Sequence, residues 1–131
     1  MPPVKDKTVA VRRDLVKLIP IEGKGRGVIA TKRIPKGTLI EAAPVIRMKD
    51  RDALTRATVL SHYPFQWDEP PYTQCFALGW VELLNHSDTP NCRCETDFKD
   101  QVLRVFAIED IPRGTELCHN YGITPWFKVA K

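Results

Sequence analysis

A mostly β domain is what this 131-residue sequence predicts, and three features predict it. Short runs rich in β-branched residues recur along the chain. Turns carrying Pro and Gly separate them, and only one stretch has convincing helical spacing. The length suits one domain with a real hydrophobic core.

The elements follow in chain order. Thr8–Ile19, "TVAVRRDLVKLI", mixes β-branched and charged residues and reads as one strand or two short ones. Gly23, Gly25 and Gly27 then precede a strand at Val28–Ala30. In "IPKGTLIEAAPVIRM" a Pro-Lys-Gly turn leads into a strand from Thr38. "KDRDALTRATVLSHY" is the helix, with Asp50 or Asp52 near its start and Ala53, Leu54, Ala57, Val59 and Leu60 inside. Pro64, Pro70 and Pro71 are expected to forbid regular structure until "CFALGW". "QVLRVFAIEDI" is a clear strand that begins with apolar–polar alternation.

One near-repeat joins distant parts of the chain: "RIPKGTLIE" (33–41) and "DIPRGTELC" (110–118), 77 residues apart. A solenoid needs a shorter period and more copies, so a repeat array is excluded. The same strand–turn–strand device is used twice, with Pro where a fixed φ helps and Gly where a positive φ is needed.

Composition narrows the function classes. The chain is 43% hydrophobic and 27% charged, ordinary for a soluble globular protein. No apolar run approaches a membrane span, and the start "MPPVKDKTVAVRRD" lacks a signal-peptide core, so an intracellular, soluble protein is expected. Cys75, Cys92, Cys94 and Cys118 fit that setting as free thiols. Residues 1–33 hold nine Lys/Arg against three Asp/Glu; the remainder holds 11 against 13. The basic charges are scattered between apolar residues, which reads as a solvated face and not as a nucleic-acid stripe. The acidic remainder suits a basic protein substrate.

Three constellations could carry chemistry. In "GKGRG" the glycines would let a backbone approach a ligand, though a plain hairpin turn explains them too. Neither the dinucleotide nor the phosphate-loop spacing is present. In "NHSDTPNCRC" (85–94), Cys92 and Cys94 could ligate a metal with His86, Cys118 or His119, but no second paired Cys motif exists. The alternative is a small-molecule pocket of Asn, His and backbone groups. In "ELCHNYG" (116–122) the tyrosine hydroxyl could be a buried hydrogen-bonding group or a catalytic one.

Taken in this order, "GKGRGVIA", "NHSDTPN" and "GTELCHNYG" resemble the signature blocks of the SET-domain protein lysine methyltransferases. The resemblance covers Val9 to Trp126, with residues 1–8 and 127–131 as tails, and is nearest to the minimal SET proteins of bacteria and large DNA viruses. It implies a β-clip fold of small twisted sheets with a C-terminal pseudoknot and one short helical insert. It also implies S-adenosylmethionine (AdoMet) as methyl donor, a protein substrate with an accessible lysine, and no metal.

The resemblance extends to single positions. Lys24, Gly25 and Arg26 match backbone that meets the methionine end of AdoMet, and Asn85 and His86 match contacts to its amino-acid and adenine parts. Trp126 and Phe127 match aromatics that cover adenine or the lysine channel, and Tyr72, Phe76 and Trp80 are candidates for that channel. Tyr121 matches the catalytic tyrosine. A narrow apolar channel would align the lysine amine and favour its neutral form by desolvation. Oxygens around the methyl would hold it by weak C–H···O contacts.

Departures from the family pattern are specific. "EAAPV" (41–45) replaces a block that in many members carries a tyrosine, and Asp88 stands where a Cys is common. Nothing after Trp126 supplies a Cys-rich zinc cluster, so Trp126–Lys131 closes the channel, or a second copy does so in a homodimer. Residues 50–74 match the variable insert that walls the substrate. The alternative function within this fold is a catalytically weak binding module; direct nucleic-acid binding and membrane association are not expected.

Overall fold

The computed structural model describes residues 10–11, 14–49 and 63–120. Strands dominate, as the sequence predicts. The first are β1 (Ala10–Val11), β2 (Val16–Ile21), β3 (Gly25–Ala30) and β4 (Leu39–Lys49). The Thr8–Ile19 region is thus two strands, with the second reaching Ile21. β5 (Phe65–Glu69) and β6 (Tyr72–Ala77) follow, then a short 3-10 helix at Trp80–Leu83. β7 (Asn85–His86), β8 (Cys92–Asp97), β9 (Val102–Ala107) and β10 (Cys118–His119) complete the order. Of the expected helix "KDRDALTRATVLSHY", Lys49 belongs to β4 instead and Tyr63 is not helical, while residues 50–62 lie outside the described residues.

One expectation is corrected. Pro64, Pro70 and Pro71 do not exclude regular structure: β5 and β6 form an antiparallel hairpin between them. Pro64 precedes β5, and Pro70 and Pro71 make the turn, so no proline has to donate to the ladder. Trp67 anchors the hairpin; it is fully buried, packs edge-on against Phe98 at 5.0 Å, and donates from Nε1 to Glu69.

The largest sheet runs β5-β6-β4-β9-β8, with β1 also paired to β4. β4 changes neighbour along its length, lying beside β9 from Leu39 to Pro44 and beside β6 from Val45 to Lys49. β2 and β3 form a separate hairpin. β7 and β10 form a short parallel pair, Asn85 opposite Cys118 and His86 opposite His119.

The near-repeat organises the core. Ile34 and Ile111, both fully buried, exchange backbone hydrogen bonds at 2.8 and 2.9 Å. Ala30 N donates to Thr115 O at 2.9 Å, and Ala107 N to Thr38 O at 3.0 Å. Gly37 N reaches Ala107 O and Gly114 N reaches Ala30 O, each at 2.8 Å. Every contact maps onto its counterpart by the same 77-residue shift. Gly37 and Gly114 adopt φ of 87° and 84°, the left-handed region that a Cβ disfavours. Each unit therefore pairs with the other, and Val28, Val105, Leu103 and Leu117 fill the space around them.

Candidate functional site

The site grows from the turn between β2 and β3. Gly23 and Gly25 have φ near 79° and 78°, which closes the hairpin and brings Lys24 back over it. Lys24 Nζ then lies 3.0 Å from Glu116 Oε1, a partner 92 residues away. That hydrogen bond is the main cause raising the lysine above its ordinary pKa, against a smaller opposing effect of burial.

Glu116 also receives Asn85. Asn85 Nδ2 donates to Glu116 Oε2 at 2.6 Å and to the Arg26 carbonyl at 3.1 Å. Gly27 makes room for this meeting. A Cβ there would sit 2.6 Å from Glu116 Oε2, 2.9 Å from Asn85 Nδ2 and 2.3 Å from Ile21 Cδ1. So the close approach at Gly27 is made by side chains of the same chain.

Asn91 holds the frame. Its buried amide donates to the Glu116 carbonyl at 2.8 Å and accepts from Cys118 N at 2.9 Å. Ser87 N donates to His119 O, and Asn91 N to Cys118 O, at 3.0 and 3.2 Å. The "NHSDTPN" loop is thereby fastened to the "ELCHN" segment at several points. Glu41 sets the approach to that loop, its carboxylate accepting from Trp80 N and Val81 N, each at 3.0 Å, at the start of the 3-10 helix.

Of the residues singled out from sequence, Lys24, Arg26 and Asn85 come together, with Arg26 contributing its carbonyl. Gly25 adjoins them in the hairpin. His86 Nε2 lies 3.0 Å from Asp88 Oδ1, beside the buried His119. Burial pushes the His119 imidazole down to about 4. Tyr72 sits under the Arg47 guanidinium, 4.1 Å from its ring centre. Phe76 shares the Tyr72 face of β6, opposite Cys75 and Ala77, and pairs with Ile46. Trp80 lines a void of about 10 Å³ with Glu41, Val28 and Leu117. Tyr121, Trp126 and Phe127 lie outside the described residues. Glu116 and Asn91 were not singled out by sequence, though both lie inside the quoted blocks.

The thiols behave as core. Burial raises Cys75, Cys92 and Cys94 to about 12 and Cys118 to about 11, so all four stay protonated at neutral pH. Among the described residues no group of His, Cys, Asp or Glu is arranged to hold a metal ion. Nor is any described helix long and apolar enough to cross a membrane.

Comparison with known proteins fits this geometry. The SET domain family matches residues 25–122, a range that contains Asn85, Asn91 and Glu116. The chain belongs to the SET-domain family. It is 32% identical over 122 residues to the H3 lysine-37 specific histone-lysine N-methyltransferase of Schizosaccharomyces pombe, covering 92% of this chain and 82% of that protein. Identity to the N-lysine methyltransferase KMT5A-A of Xenopus laevis is also 32%, over 136 residues. That match covers 86% of this chain and 40% of the relative, so the chain spans under half of the Xenopus protein. A crystal structure of a Plasmodium falciparum candidate histone methyltransferase has the same fold, with a TM-score of 0.68 and 24% identity. It covers 88% of this chain and 99% of that chain. The family is one of protein-lysine N-methyltransferases, and this SET chain carries its methyltransferase domain.

Proposed function

We propose that this SET protein transfers a methyl group from AdoMet to the side-chain amine of a lysine in a protein such as a histone. The observation that carries the reading is the meeting of Lys24, Arg26, Asn85 and Glu116, drawn from all three sequence blocks, at one place. AdoMet, when bound, supplies an activated methyl on its sulfonium. The residues present fit it. Both hydrogen bonds that the Asn85 side chain makes among the described residues leave from Nδ2, so its Oδ1 can accept from an amino group.

In this reading the backbone of Lys24, Gly25 and Arg26 and the Asn85–His86 strand hold the amino-acid and adenine ends. Trp126, with Phe127, covers adenine or the channel. Tyr72, Phe76 and Trp80 wall the lysine, within a working unit of residues 9–126 whose substrate wall is 50–74. Tyr121 places its hydroxyl at the transfer point. The channel's apolar surface favours the neutral amine, which is the nucleophile. The segment Trp126–Lys131 or a second copy closes it.

Incubation of the full chain with methyl-labelled AdoMet and core histones or ribosomal proteins tests the reading, with mass spectrometry to locate the label. Label on a lysine side chain is expected. A protein that binds AdoMet yet transfers nothing to any of these substrates is a binding module instead.

A further inference from the structure

We propose that Glu116 is a positioning residue that makes the cofactor site selective for an amino group, by fixing which face the Asn85 amide presents. The proposal rests on the AdoMet reading above. A side-chain amide can turn over, exchanging its NH2 and carbonyl ends, and its neighbours decide which way it settles. Here both neighbours of Nδ2 are acceptors: the Glu116 carboxylate at 2.6 Å and the Arg26 carbonyl at 3.1 Å. Turning the amide would set Oδ1 against two acceptors, with no donor to meet it. Asn85 is therefore held with its NH2 spent on the protein and its oxygen left to accept. The site offers an acceptor at that point, which an ammonium or N–H satisfies and a carbonyl or carboxylate does not.

Glu116 is itself held from three sides. Its backbone carbonyl is clamped by Asn91, its Oε1 is neutralised by Lys24, and its Oε2 lies in the space left by Gly27. The Lys24 and Glu116 side chains are only 20% and 18% exposed, so neither is free to wander into solvent. The lysine also prevents an isolated carboxylate from charging the pocket.

Calorimetric titration of the full chain with S-adenosylhomocysteine and with its analogue lacking the α-amino group tests the assignment. Wild type is expected to prefer the amino compound by about tenfold or more, one charge-assisted hydrogen bond. Glu116→Gln replaces the nearer of the two acceptors with an amide that can also donate, leaving the Arg26 carbonyl alone to hold the Asn85 orientation. Affinity for the amino compound then falls about tenfold, while the deaminated compound binds nearly as before. A purely structural role would weaken both compounds equally, and that result overturns the proposal. Asn85→Asp supplies a second arm, because it faces two carboxylates against each other and loses binding. Adding Glu116→Gln gives that aspartate a donor and restores the amino preference; failure of this rescue also counts against Glu116. A wild type that binds neither compound removes the AdoMet reading and this proposal with it. A wild type with the preference, kept intact in Glu116→Gln, removes only the Glu116 assignment.

Discussion

At the scale of single residues, two titratable groups, half-buried Glu82 and buried His119, set opposite pH slopes on stability. Burial pushes Glu82 up to about 8 from an ordinary 4.5, and its Oε2 has no hydrogen-bond partner among the described residues. Between those values the folded protein holds a proton that the unfolded chain has released, so stability falls as pH rises through them. Glu41, also raised chiefly by burial, adds a slope of the same sign. His119 runs the other way. The unfolded imidazole binds a proton below about 6.5, whereas the folded one resists until about 4, so stability falls as pH drops between them. Urea unfolding at a series of pH values should show Glu82→Gln flattening the loss above pH 6.5. The loss on acidification should shrink in His119→Phe, which retains ring packing against Phe65. An unchanged alkaline slope in Glu82→Gln would contradict the assignment. The proposed role of Tyr121 is tested by Tyr121→Phe, which keeps the ring and deletes the hydroxyl. Single-turnover methyl transfer should fall by roughly 10²-fold or more, with AdoMet affinity little changed, because the lost contact acts where charge shifts in the transition state. Normal turnover would remove Tyr121 from the chemistry.

Among the elements, the 3-10 helix at Trp80–Leu83 has a borrowed cap. Gly79 precedes it and offers no side chain, so Glu41 on β4 satisfies the first N–H groups from 39 and 40 residues away. Glu41→Ala should cost about 1–3 kcal/mol of unfolding free energy, since it orphans a buried donor, Val81 N, and a part-buried one, Trp80 N. Glu41→Gln, which keeps an acceptor, should cost less; equal losses in chemical denaturation would argue for packing alone. This device shows where sequence reading stops. β9 is legible because Val102, Leu103, Val105 and Ala107 show the apolar run and alternation of a buried strand. The "NHSDTPN" and "ELCHN" blocks are legible as a pair through family resemblance. Glu41 and Glu116 are not, because a Glu after a turn or within a strand reads as solvated until its distant partners are placed. The β5–β6 hairpin was hidden for another reason: three prolines argue against strands locally, and only their placement outside the ladder removes the objection.

For the whole molecule, the two Ile-Pro-basic-Gly-Thr units act as one joint. Ile34→Ala and Ile111→Ala should each cost about 2–5 kcal/mol, the range for truncating a fully buried branched side chain. The two residues lie opposite each other in one antiparallel bridge, so their side chains are cross-strand neighbours and the double variant should lose measurably less or more than the two losses added. Additive losses in denaturant titration would mean that the units are energetically independent, against the reciprocal geometry. The joint also explains how the proposed site is assembled. It brings β3 and the segment after Gly114 side by side, and Lys24 and Glu116 meet at the edge of that pairing.

The reciprocal pairing has a cost in time. Neither isoleucine can be covered until the other unit exists, so this contact closes a loop of about 77 residues, the kind of non-local pairing that slows folding. During synthesis the first unit leaves the ribosome well before the second. At about 5–20 residues per second that interval is roughly 4–15 s, with Ile34 and the hydrogen-bonding edges of β3 and β4 exposed. A chaperone that shields extended apolar segments is the cover we expect over that interval, and refolding yield should fall with protein concentration in its absence.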